Sequence, residues 1–168
     1  MNRWAVACIG AFLATGVAQA DADVGKTAPT LVLKMLDGSV FDLTTHRGRV
    51  VLINYWATWC TPCRREMPSL DAVFRRHRTE GLDVVGISAD RPRHRDEVVQ
   101  VMRAFAYPAG LVSEASPNGF GGVDALPLTY VIDRRGVVAA RLDHPASEDE
   151  LERLVRSLLA PNAPAASP

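Results

Sequence analysis

Two thiols two residues apart are the part of this sequence best equipped for chemistry. Cys60 and Cys63 stand with Thr61 and Pro62 between them in "YWATWCTPCRREMP", residues 55–68. Such a pair can hold a metal, staple a loop or exchange electrons. A structural zinc site needs two further ligands, and His46, His77, His94 and His144 are scattered singly along the chain. Covalent haem attachment needs a histidine directly after the second cysteine, where Arg64 stands. A staple across so short a loop removes little chain entropy. A copper(I) chaperone is the non-enzymatic alternative, because soft thiolates select that ion, but the pair has no clear histidine or methionine partner. Thiol–disulfide exchange is left, with no metal and no cofactor beyond the thiols themselves.

The compartment follows from the start of the chain. "MNRWAVACIGAFLATGVAQA" has one basic residue, Arg3, an uncharged apolar run from Trp4 to Val17, and Ala18-Gln19-Ala20, a small-x-small cleavage signal. The run is shorter than the ~20 residues that cross a bilayer, so residues 1–20 are expected to be a signal peptide cleaved before Asp21, with a retained anchor as the other reading. Cys8 leaves with it. The mature chain then holds only Cys60 and Cys63, outside the cytoplasm, where disulfides persist. The predicted location is the periplasm. The 168 residues carry 19 Lys+Arg against 19 Asp+Glu, so no basic field invites nucleic acid.

The surrounding pattern must position the pair. "RVVLINYW", 49–56, reads as a strand buried on both faces. After Thr61-Pro62 the period becomes helical, with Met67, Leu70, Val73 and Phe74 on one side and Arg64, Arg65, Asp71, Arg75 and Arg76 largely on the other. Pro62 suits a first turn, and Pro68 falls inside the helix, where a kink is expected. Cys60 thus sits at a helix N-terminus, exposed and with its thiolate stabilised, as the attacking sulfur; Cys63, one turn in and more enclosed, resolves. "LDVVGISAD" (82–90) is a second strand and "RDEVVQVMRAFA" (95–106) a second helix, completing a β-α-β-α alternation. Residues 108–122 read as a Gly/Pro/Ser-rich connection. "LTYVID" and "GVVAARL" form a hairpin, and "SEDELERLVRSLL" (147–159) a last helix capped by Ser147. "TLVLKMLDGSVFDLTTHRG" reads as a hairpin added at the N-terminus, around Asp37-Gly38. One domain over 21–160 and a disordered tail at 161–168 are expected.

"VVLINYWATWCTPCRREMP", "VVGISAD" and "ALPLTYVIDRRG" together resemble exported thiol–disulfide oxidoreductases of the TlpA/ResA type. The resemblance spans roughly residues 24–160 and implies an α/β, thioredoxin-like fold: a central mixed sheet flanked by helices. It implies that Cys60 is the nucleophile, Cys63 the resolving thiol and Pro127 a cis-proline facing them. It implies, too, a monomer that reduces client protein disulfides, in many members for cytochrome c or other cofactor assembly, and draws electrons from a membrane thiol carrier. Asn54 stands where ordinary thioredoxins keep a buried Asp that takes a proton from the resolving thiol. Glu66, one turn beyond Cys63, matches the family's active-site glutamate; it reads either as the replacement base or as an exposed acid favoured by the helix dipole. Trp56 reads as core, whereas Trp59, with Thr61, Pro62 and Leu126, is expected to meet the client. Two positions depart from relatives: Ala125, where many members have Gly, and Leu128, where the branch dedicated to cytochrome c maturation has Glu. A related thiol peroxidase would need Thr in place of Ala57. An oxidant that introduces disulfides is the redox alternative.

Overall fold

The computed structural model describes residues 22–117, 119–120 and 125–160. The expected leader, the start at Asp21 and the tail lie outside the described residues. Seven strands form one sheet: β1 (Val32–Met35), β2 (Val40–Asp42), β3 (Val50–Trp56), β4 (Leu82–Ser88), β5 (Ala109–Ala115), β6 (Leu128–Ile132) and β7 (Val138–Leu142). Their order is β2-β1-β5-β4-β3-β6-β7. The central trio β5, β4 and β3 is parallel, with antiparallel β1 and β2 on one side and β6 and β7 on the other. Among the described residues three α-helices complete the fold: α1 (Thr61–His77), α2 (Arg95–Met102) and α3 (Glu148–Leu159). It is the expected mixed sheet with an N-terminal hairpin.

Alternation along β3 builds two cores from one strand. All seven of its residues are buried. Val50, Leu52 and Trp56 join a cluster with Met67, Leu70 and Val73 of α1, Val98 and Met102 of α2, and Leu151 and Val155 of α3. Val51, Ile53 and Tyr55 face the other way, onto Leu33, Val85, Ile87, Phe120 and Tyr130. A strand with both faces packed is held in one register, because a slip by one residue would exchange the two cores. The end of β3 is therefore a rigid place from which to launch a reactive loop.

Two expectations need correction. The stretch 108–122 is not all connection: β5 lies in it, parallel to β4 and antiparallel to β1. Its Gly110 disguises it, yet a Cβ there would come 2.6 Å from the Lys34 carbonyl oxygen and 2.9 Å from Leu33 Cγ, so glycine is what lets β1 and β5 approach. The helix expected over 95–106 ends at Met102, and the chain then bends so that the Ala106 N–H reaches Asp71 Oδ1 at 2.5 Å. Pro68 does lie inside α1, which continues through it to His77.

Candidate active site

The reactive loop is pinned from below before it reaches the thiols. Asp90, buried just past β4, accepts from the Thr58 N–H (2.8 Å), the Thr58 hydroxyl (2.7 Å) and the Ser88 hydroxyl (2.7 Å). One carboxylate thus fixes the turn between β3 and α1. Sequence reasoning missed this anchor; the acid directly after an apolar strand was its only signal. The Cys60 N–H then bonds the Ala57 carbonyl, and Cys60 becomes the N-cap of α1, its Sγ accepting from the Cys63 N–H at 3.3 Å.

Cys60 and Cys63 are joined as a disulfide, their Cα atoms 5.3 Å apart. Cys63 is fully buried and Cys60 is 5% exposed. The order of exposure is the expected one, but Cys60 is far more enclosed than a freely exposed cap. Its sulfur turns inward onto the first turn of α1, and its residue packs in the same cluster as Trp56 and Met67. Trp59 is the contrast, 70% exposed. It lines an open groove of about 870 Å³ with Thr58, Arg64, Glu97, Val101 and Ala104, running between the start of α1 and α2. Thr61 is exposed and Pro62 half-buried in the first turn. Trp56 is wholly buried.

Glu66 is not a surface acid. It is 2% exposed, with Oε1 accepting from Asn54 Nδ2 at 2.7 Å and Oε2 from the Ala146 N–H at 3.0 Å. Asn54 Nδ2 also donates to Thr129 Oγ1 at 2.9 Å. Burial pushes the Glu66 carboxyl above its ordinary pKa, against the two hydrogen bonds and the positive influence of His144, which act to lower it. Asn54, Thr129 and Ala146 therefore hold a carboxyl group of raised proton affinity three residues along the helix from Cys63.

Pro127 enters from the other side. The β3–β6 ladder ends at Tyr55–Leu128, so Pro127 lies one residue beyond it, at the end of the sheet where Trp56 passes the chain to the cysteine loop. The Leu126–Pro127 peptide bond is cis and Pro127 is buried. Leu126 is half-buried, its side chain packed against both core clusters rather than turned outward.

A Cys-x-x-Cys disulfide capping the helix that follows the central strand of a thioredoxin-like sheet defines a thiol–disulfide oxidoreductase. The chain belongs to the AhpC/TSA family, which it matches over residues 24–141, and within that fold it is of the TlpA/ResA type. It is 29% identical over 135 residues to the thiol-disulfide oxidoreductase ResA of Geobacillus thermodenitrificans, covering 80% of this chain and 78% of that one. The thioredoxin-like protein YneN of Bacillus subtilis is 34% identical over 120 residues, 68% of each chain. A crystal structure of a thiol:disulfide interchange protein from Chlorobium tepidum superposes with a TM-score of 0.70 at 27% identity, covering 84% of this chain and all of that one.

Proposed function

We propose that this protein reduces disulfides of client proteins outside the cytoplasm, acting as a monomer after removal of its first twenty residues. Cys60 in its thiolate form attacks a client disulfide and makes a mixed disulfide, releasing one client thiolate. Glu66 takes the proton of the Cys63 thiol, and the Cys63 thiolate attacks Cys60 Sγ, breaking its bond to the client, releasing the second client sulfur as a thiolate and leaving the Cys60–Cys63 disulfide. A membrane thiol carrier supplies the two electrons that restore the dithiol. Clients approach over Trp59, Thr61 and Pro62, with the backbone at Leu126-Pro127 as the opposite edge. Leu128, in place of the glutamate of the branch dedicated to cytochrome c maturation, argues against that branch and leaves the client open.

The observation that carries this reading is the buried carboxylate of Glu66, held by Asn54 and Ala146 three residues along α1 from Cys63. No described helix is long and apolar enough to cross a membrane. Replacing Cys63 by Ser should accumulate mixed disulfides between Cys60 and clients, visible as thiol-sensitive adducts on non-reducing gels. Adducts that form with Cys60→Ser and not with Cys63→Ser would reverse the two roles.

A further inference from the structure

We propose that the groove between Trp59 and α2 is a specificity surface for clients, and that it selects an extended client segment carrying an apolar residue and a lysine or arginine close to its reactive cysteine. The inference rests on the proposed attack of Cys60 on client disulfides. A helical stripe supplies its frame. Glu97, Gln100, Val101 and Ala104 stand at i, i+3, i+4 and i+7, so α2 and the turn after it present them on one side, and all of them line the groove. Trp59 lines it from the other side, and nothing in the fold covers the ring. It is 70% exposed, the one aromatic among the exposed large hydrophobic residues described, although the backbone around it is fixed: Asp90 holds Thr58, and the Cys60 N–H bonds the Ala57 carbonyl. A large ring on a rigid turn, left in water opposite half-buried Val101, forgoes burial that a partner restores. The groove begins one residue from the attacking sulfur, so a client disulfide that reaches Cys60 brings its flanking residues to it.

Charge defines the rest of the occupant. Asp96 and Glu97 on α2 line the groove with Arg64 on α1, two acids to one base. Asp96 and Arg64 are exposed and have no partner among the described residues, and Glu97 meets His94 Nδ1 at 3.0 Å. The acids lie at the Trp59 end, since Glu97, Thr58 and Trp59 also border the neighbouring hollow; Arg103, which donates to Gln100 at 2.9 Å, is more than a turn further along α2. A basic client residue near the cysteine therefore meets Asp96 and Glu97, and an apolar one meets Trp59 and Val101. The neighbouring hollow is lined by Arg91 and Arg93, whose like charge turns the same basic residue back toward α2. Acids in a first helical turn also suit the helix dipole. The dipole does not account for the uncovered ring that faces them.

Two peptides test the groove, each with one cysteine held as a mixed disulfide with thionitrobenzoate and flanked on both sides by Leu and Lys in one, Leu and Glu in the other. The Cys60 thiolate of the reduced protein attacks the peptide sulfur, the peptide–thionitrobenzoate bond breaks, and the released thionitrobenzoate anion is read by its absorbance. The Cys63 thiolate then displaces the peptide thiolate from Cys60 and leaves the Cys60–Cys63 disulfide. Dividing each rate by that of the same peptide with mercaptoethanol, a neutral thiol, removes the peptide's own reactivity. The Lys peptide should react about five-fold faster at low salt, the scale of one or two exposed ion pairs, and the advantage should shrink toward one in about 0.5 M salt. The double variant Asp96→Asn, Glu97→Gln should bring the ratio to about one, and Asp96→Lys with Glu97→Lys should reverse it. Equal rates with the parent, or a preference that survives the neutral variant, overturn the proposal. If neither peptide releases thionitrobenzoate, the reductase reading fails, and titration of the protein with the same peptides carrying Ser for Cys, read by fluorescence against a Trp59→Phe control, still decides the groove: tighter binding of the Lys peptide supports it and equal binding overturns it.

Discussion

Glu66 shows how competing effects of similar kind are settled at one residue. Two hydrogen bonds favour its ionised form, yet burial outweighs them and the proton affinity rises. The sign for stability follows: a carboxyl whose folded pKa lies above its ordinary 4.5 contributes stability in full below that value and loses it as pH rises through the folded pKa. Glu66→Gln should therefore gain stability relative to the parent as pH climbs from 4.5, measured by urea unfolding at a series of pH values. As a catalyst the same group should give turnover an ascending limb above the usual carboxylate range, which Glu66→Gln flattens with a loss of roughly 100-fold at its plateau. A superimposable profile in the variant would leave Glu66 a structural acid. Cys60 and Cys63 were legible from residue types and spacing, and the place of Asn54 where thioredoxins keep an acid from the family resemblance. The burial of Glu66 was not, because its enclosure comes from Ala146, a residue eighty positions away in sequence.

Elements were legible where a local period ran long enough. β3, α1 and α3 combine buried runs or wide apolar stripes with recognisable caps, Cys60 for α1 and Ser147 for α3. β5 was hidden because its place depends on partners: Gly110 weakens it as an isolated strand and is needed only once β1 lies beside it. The pairing of α1 with α3 was equally invisible, since it links residues from opposite ends of the domain. Arg76 bonds Glu148 at 2.7 Å and Glu152 at 2.5 Å, and buried His77 reaches Glu152 at 2.9 Å. The Arg156 guanidinium also holds Glu152, and with His77 and Arg76 brings its carboxyl down to about 2. This contribution is present above 4.5 and is lost as pH falls through about 2. Glu152→Gln should cost about 1 kcal/mol near neutral pH, as partly exposed ion-pair networks do. In urea titrations its deficit against the parent should vanish by the acid end of that window; a deficit that persists there would assign the loss to packing rather than charge.

For the whole molecule the open quantity is the direction of electron flow, and magnitudes decide what to expect. A dedicated oxidant at roughly −120 mV and thioredoxin at roughly −270 mV differ by about 7 kcal/mol of relative dithiol stability, at 30 mV for each 1.4 kcal/mol. A helix N-terminus gives a charge about 0.3–1 kcal/mol, and about 2 in favourable buried geometry. Here Cys60 Sγ has the Cys63 N–H and that dipole, and among the described residues no basic side chain hydrogen-bonds it. An ionised Glu66, buried three residues along α1, acts against a second thiolate at Cys63. With equal numbers of basic and acidic residues, the chain adds no net field to close the gap. The potential should then lie within about 50 mV of thioredoxin's, measured by equilibration against glutathione and dithiothreitol buffers. In an oxidising compartment such a protein stays reduced only while a donor works on it. Acid-quench trapping in cells should accordingly show mostly dithiol, turning to disulfide when the membrane thiol carrier is removed. A potential near −120 mV, or a disulfide population indifferent to that carrier, would assign the protein to disulfide formation instead, because only an oxidant can turn over without a source of electrons.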